Sequence, residues 1–201
     1  MYIRIVFKIV VLWLLSMQIV FAQNEPDPAN VVFQVTTDVL EAVQANKEQY
    51  EEDPAVYFQA IDDALGSNVN FERMAYLVMD ATYYRASTDE QKERFVEAFK
   101  TSLVETYSKG LLAAGNPEFT VLPVNAAEGA QTVTVEQELV DGVFEMRLDY
   151  SMRREPDGRW LLVNVVIDGI NLGSTFRNQF AQLARRYNGD LDRVIDAWSS
   201  N

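Results

Sequence analysis

The side chains able to do chemistry in this chain are carboxylates, tyrosines and lysines, because its 201 residues include neither histidine nor cysteine. That absence removes Ser-His-Asp and Cys-His nucleophilic catalysis, histidine-rich metal sites and thiolate zinc sites together. Asp62 and Asp63 form a carboxylate pair, but neighbours on a helix diverge by about 100° and cannot easily flank one substrate atom. Solvated helix surface is the better reading. Asn188-Gly189-Asp190-Leu191-Asp192 carries a trace of a calcium loop, yet it lacks the third acidic step, the central glycine and the closing glutamate. A helix stop at Gly189 and a cap at Asp190 account for it. The nine glycines are scattered and build no phosphate-cradling loop. The residues therefore predict no catalytic group, no metal and no cofactor.

What does recur at regular spacing is apolar. Phe95, Phe99, Leu103 and Tyr107 fall four apart in Gln91 to Gly110, a stripe on one helix face. Phe144, Met146, Leu148, Tyr150 and Met152 alternate with Glu145, Arg147, Asp149, Ser151 and Arg153, so one face of a strand is apolar throughout. Val133, Val135, Gln137 and Leu139 repeat the alternation opposite Thr132, Thr134, Glu136 and Glu138.

The elements that carry these faces follow from local signals. Asn30 is positioned to cap a helix with Val32, Val35, Val39 and Val43 on one stripe. Asp53-Pro54 starts a second helix, because the carboxylate accepts from free amides and proline lacks the orphaned donor; it buries Tyr57, Phe58, Ile61 and Leu65 and ends at Gly66. Phe71, Met74, Leu77 and Val78 begin another helical turn or two. Ser87-Thr88-Asp89-Glu90 offers a capping box to the long aromatic helix, which stops near Gly110 or Gly115. From Phe119 the period changes to two. A first strand at Phe119 and Val121 sits at an edge because Pro123 cannot donate to a ladder. Asp141-Gly142 closes a hairpin, and Glu155 to Gly158 turns the chain into Trp160 to Ile167, which is apolar on both faces and so interior. Two amphipathic helices follow, on Phe176, Phe180, Leu183 and Tyr187, then on Leu191, Val194, Ile195 and Trp198. The predicted class is α+β: a four-stranded antiparallel meander with helices covering its apolar face. No repeat, low-complexity tract or internal linker divides the chain.

Composition sets the setting. Hydrophobic residues at 48% and charged residues at 23% suit one globular domain with a sizeable core. Arg4 and Lys8 precede an apolar run from Ile9 to Leu15 that continues to Val20-Phe21-Ala22, the parts of a cleavable secretory signal cut after Ala22. The run is shorter than the roughly 20 residues of a membrane span. Residues 1–22 are thus read as a signal peptide and 23–201 as a single mature domain. Losing Arg4 and Lys8 moves the formal charge from −13 to about −15, which disfavours nucleic acid and anionic membrane surfaces as partners. Without cysteine, an exported fold has no disulfide framework and rests on its core.

The segment Phe71-Glu72-Arg73-Met74-Ala75-Tyr76-Leu77-Val78-Met79-Asp80, followed by Tyr83-Tyr84-Arg85-Ala86-Ser87-Thr88 and by Gln91 to Tyr107 with Arg94, Phe95, Ala98 and Phe99, resembles the MlaC, or toluene-tolerance, family of periplasmic phospholipid-binding proteins. Gly158-Arg159-Trp160, Ile167-Asp168-Gly169-Ile170 and Phe176-Arg177-Asn178-Gln179-Phe180 extend the likeness, which covers roughly Asp53 to Trp198. The chain departs from the family pattern at Val163-Asn164, where Tyr-Asp is common, and at Asn171, where Ser is common. A proline is also missing before Phe71.

The resemblance implies a periplasmic, monomeric, non-enzymatic carrier that holds acyl tails in an apolar cavity between sheet and helices. It further implies shuttling between an outer-membrane lipoprotein and porin complex and an inner-membrane ABC transporter with a ring of MCE domains, the Mla pathway that maintains outer-membrane lipid asymmetry. On that reading the lining comprises Val133, Val135, Phe144, Met146, Leu148, Tyr150 and Met152 on the sheet, with Phe99, Leu103 and Tyr107 on a facing helix. Methionine suits variable chains through its flexible thioether. The same positions read equally well as packed core. Two other functions fit the letters: a carrier for another apolar cargo, such as a lipoprotein acyl group or hydrophobic peptide, and a small enzyme of the cone-shaped NTF2-like type with Tyr150 or Asp149 at its mouth.

Overall fold

The computed structural model describes residues 27–124, 127, 129–142 and 144–199, apart from the side chain of Phe144. The proposed signal peptide lies outside this range. Asp27 caps the first helix, α1 (Pro28–Asn46), by accepting from Ala29 N, with Pro28 in the first turn. Asp53 does the same for α3 (Pro54–Leu65), and a single turn, α2 (Gln49–Glu52), lies between them. Asn70 caps α4 (Phe71–Ala86) through Arg73 N. Thr88 and Gln91 form the reciprocal capping box of α5 (Asp89–Ala114), which runs through Gly110 and stops at Gly115.

The strands β1 (Glu118–Val121), β2 (Thr132–Asp141), β3 (Phe144–Arg154), β4 (Trp160–Ile167) and β5 (Ile170–Asn171) form one antiparallel meander in chain order. The predicted four strands are joined by a two-residue fifth. Asp168 and Gly169 make its turn with both φ angles positive, 47° and 81°, as a two-residue hairpin requires. Asp168 is held there by Arg147, whose backbone N–H donates to its carboxylate at 2.9 Å. The helices α6 (Leu172–Arg186) and α7 (Leu191–Trp198) complete the chain.

Among the described residues, buried apolar side chains gather in three separate clusters. One joins α4, α5, α6 and α7 around Phe95, Phe99, Phe180 and Trp198. A second joins α1, α3 and α5 through Val39, Val43, Tyr57, Ile61 and Val104. The third lies on the sheet: Val32 of α1 packs with Val135, Met152 and Trp160. The α5 helix does not cover the sheet as the sequence suggested. The elements against the sheet are α1, on β1 and β2, and α4 and α6, on β4. The reason lies in the spacing: four residues advance a helix by about 400°, so a side-chain row at that interval drifts about 40° per step and about 120° from Phe95 to Tyr107. Phe95 and Phe99 are sealed in the helical cluster, Leu103 rests on its edge, and Tyr107 joins none of the three clusters.

Candidate inner wall of the sheet

Cross-strand register puts the predicted sheet residues on one face. Val133 pairs with Met152, Val135 with Tyr150, Gln137 with Leu148 and Leu139 with Met146. On the other side of β3, Tyr150 pairs with Val165 and Leu148 with Ile167, while Met152 pairs with Leu162. The register shift between Ser151 and Met152 leaves Val163 as an extra residue on β4, a bulge that keeps apolar side chains inward on both sides of it.

The α1 helix runs along this face in step with β2. Val32 shares a cluster with Val135, and one turn later Thr36 meets Gln137, whose amide nitrogen donates to Thr36 Oγ1 at 2.9 Å. Four helical residues rise about 6 Å and two strand residues about 6.7 Å, so the match persists over two turns. The next turn and the next inward strand position carry Leu40 and Leu139.

Gln137 is the centre of a polar chain inside this apolar wall. It is completely buried. Its Oε1 accepts from the Tyr150 hydroxyl at 2.7 Å while its nitrogen serves Thr36. Burial holds the Tyr150 phenol well above its ordinary pKa, a hydrogen bond with Thr36 opposing part of that rise. As whole residues Tyr150, Val133 and Met146 are half-buried.

The predicted residues therefore fall into distinct groups. Val135 and Met152 are sealed in the sheet cluster. Leu148 is buried, as are Leu40 and Leu139, yet none of the three belongs to any of the clusters. Val133, Met146 and Tyr150 are half-buried on the inner face. The Phe144 side chain lies outside the described residues. Tyr107 is half-buried, and burial raises its phenol pKa. Phe99 lies in the helical core, fully buried against Phe176 and Trp198, with ring centroids 5.5 and 6.0 Å away. Leu103 lies at the edge of that cluster. The alternation puts Gln137 on this face without assigning it a role, and it gives no signal for Thr36 or Leu40. The signal for Gln137 was present, since a glutamine at an inward position of an otherwise apolar alternation must find partners.

The other chemical candidates are structural. Asp62 pairs with Lys100 at 2.7 Å and Asp63 accepts from Gln59 at 2.9 Å. Asp190 caps α7 through Arg193 N. Among the described residues no three His, Cys, Asp or Glu side chains gather as metal ligands would.

The MlaC protein family model matches residues 33–200. The toluene tolerance protein Ttg2D of Pseudomonas putida is 35% identical over 172 residues, covering 86% of this chain and 80% of the relative. This chain belongs to the MlaC family. The intermembrane phospholipid transport system binding protein MlaC of Haemophilus influenzae is 22% identical over 158 residues, covering 77% of this chain and 73% of that protein. A solved structure of the phospholipid-binding protein from Ralstonia solanacearum, in complex with a phospholipid, shares the fold: the TM-score is 0.78 at 23% identity, covering 87% of this chain and 96% of that one. The MlaC-like motifs quoted above map mostly to structural joints: Tyr83 to Thr88 is the α4–α5 corner with its cap, Ile167 to Ile170 the β4–β5 hairpin, and Phe176 to Phe180 a face of α6. Where MlaC proteins commonly carry Tyr-Asp, Asn164 Oδ1 accepts from Gly173 N at 2.9 Å and Asn171 caps Ser174 N at 3.0 Å. Both departures thus keep a side-chain oxygen at the start of α6.

Proposed function

We propose that this chain is an exported, periplasmic carrier that binds a phospholipid by its acyl chains against the inner face of the sheet and moves it between the outer and inner membranes. The observation that carries the reading is the inner face of the sheet, where half-buried Val133, Met146 and Tyr150 lie in register with strand partners that include Leu139 and Leu148, buried leucines that join none of the packed clusters. Membership of the MlaC family and the phospholipid bound to the Ralstonia protein of the same fold support it. A diacyl lipid carries on the order of 30 methylenes, and at about 0.8 kcal/mol each their exposure to water costs some 24 kcal/mol. Unaided diffusion is then negligible, and an apolar wall makes transfer nearly thermoneutral, so that docking decides direction. The donor and acceptor in this reading are the outer-membrane lipoprotein and porin complex and the inner-membrane transporter ring.

Organic extraction of the purified mature protein, followed by mass spectrometry, tests the cargo. Stoichiometric two-chain phospholipid is the expected result, and the protein mass should start at Gln23. A single acyl chain or peptide in the extract would establish a different cargo. An empty protein that also takes up no phospholipid from vesicles would end the proposal.

A further inference from the structure

On the helical side, far in sequence from the inner wall, α5 and α7 leave a groove of about 640 Å³ between them. Its floor is made of the small side chains Ala98, Thr101 and Ser102, and Trp198 forms part of its wall. Glu93, Glu97 and Glu105 also line it, at four- and eight-residue intervals of α5. Glu93 and Glu97, four residues apart, repel each other; Glu97 acts electrostatically on Lys100, but no salt bridge among the described residues involves any of these three glutamates. The cations within the groove are already engaged: Arg94 pairs with Asp192 at 2.6 Å and Asp196 at 2.7 Å, and Lys109 sits over the Phe58 ring at 5.5 Å. Trp198 adds an independent observation. It is 1% exposed, and its indole N–H meets no acceptor, although a buried donor ordinarily has one.

We infer that this groove is a docking surface for a cationic segment of a partner protein, a helix or extended strand that sets Lys and Arg against Glu93, Glu97 and Glu105 and brings main-chain carbonyls over the wall formed by Trp198. Charge selects the occupant. An anionic lipid surface or a nucleic acid meets repulsion here, and a second copy of this acidic chain brings net negative charge as well. From Glu93 to Lys109 the groove edge runs about 24 Å at 1.5 Å per residue, enough for four turns of a docked helix. The inference is independent of the cargo, because it uses none of the sheet residues.

The test titrates the mature protein with a synthetic peptide of about 16 residues, the length that α5 offers, alanine-based with lysine at every fourth position. Nitrogen-resolved NMR at low salt reads the two indole signals, Trp160 and Trp198. Movement of the Trp198 indole and of α5 amides, with Trp160 unmoved, is expected. A triple variant E93Q/E97Q/E105Q should weaken binding about tenfold, in line with three partly exposed charge pairs, whereas E48Q/E51Q/E52Q, which changes net charge equally, should leave it unaltered. Equal weakening by both triples, or binding that leaves Trp198 unmoved, would overturn the inference. So would self-association without peptide that only the groove triple abolishes. If the groove triple fails to fold, Glu97→Gln alone should still weaken binding two- to threefold, and no change would again overturn it.

Discussion

The helical cluster and the inner wall of the sheet are written in similar letters and packed in opposite ways. In the first, Phe95, Phe99, Phe176, Phe180 and Trp198 meet one another with ring centroids 5.1 to 6.4 Å apart, and four of the five are at most 1% exposed. In the second, smaller aliphatic residues and methionines share the surface with a Thr36–Gln137–Tyr150 hydrogen-bonded chain, and Val133, Met146 and Tyr150 are only half-buried. Aromatic rings that satisfy each other leave no room for a guest. The sheet face is lined instead by aliphatic side chains, methionine and one tethered tyrosine.

The largest effect that can sharpen this contrast is expected at Phe99. Truncation to alanine in a sealed cluster costs about 3–5 kcal/mol, so denaturant unfolding should show a loss of that size while lipid per folded molecule stays constant. Loss of lipid from an otherwise stable F99A protein would erase the distinction between the two regions. On the wall, Tyr150→Phe leaves Gln137 Oε1 without its donor in a fully buried place, a cost of about 1–3 kcal/mol. It should also change the alkaline behaviour. The folded Tyr150 pKa is raised by burial above its unfolded value near 10, so its contribution is complete below that pH and is lost as pH rises beyond it. Thermal unfolding between pH 9 and 11.5 should therefore fall less steeply in Y150F than in the parent, and parallel curves would count against the deep placement of the hydroxyl.

Smaller effects probe the packed side. Asp80 interrupts α4 with φ 66° and ψ 155°, a region in which residues other than glycine store about 1–3 kcal/mol, and Arg177 donates to the Leu77 carbonyl beside the break at 2.9 Å. Asp80→Gly should relieve most of that strain, less the Asx contact to Thr82 N and the added freedom of the unfolded chain, for a net gain of about 1 kcal/mol in thermal unfolding. Destabilisation instead would mean that the carboxylate contributes more than the backbone costs. The smallest change is Asn164→Asp. It restores the charge common in MlaC proteins at the start of α6 and should add about 0.3–1 kcal/mol near neutral pH, a gain that protonation in acid should remove.

Much of this architecture was legible in the residues. Strict alternation fixed the inner faces of β2 and β3, and Asp53-Pro54 and Thr88 marked helix starts where they occur. The first helix was placed at Asn30 although Asp27-Pro28 repeats the Asp53-Pro54 device three residues earlier; the same physical rule applies to both. The α2 turn and β5 are too short for any period to register. The partner of α5 was misjudged for a different reason: a stripe shows that a face is buried without naming what covers it, and a four-residue interval winds slowly around the helix. The wall itself was only partly readable, because alternation distinguishes inward from outward and is silent on how far away the covering helix stands.

Because α5 contributes Phe95 and Phe99 to one cluster and Val104 to another, its 26 residues are common property of both helical neighbourhoods. Neither can melt while the other stays intact without breaking that single rod, so the two behave as one cooperative unit in native-state hydrogen exchange. The α1 helix belongs to that unit through Val39 and Val43, whereas Val32 and the Thr36–Gln137 hydrogen bond tie it to the strands, so it joins the helical layer to the sheet.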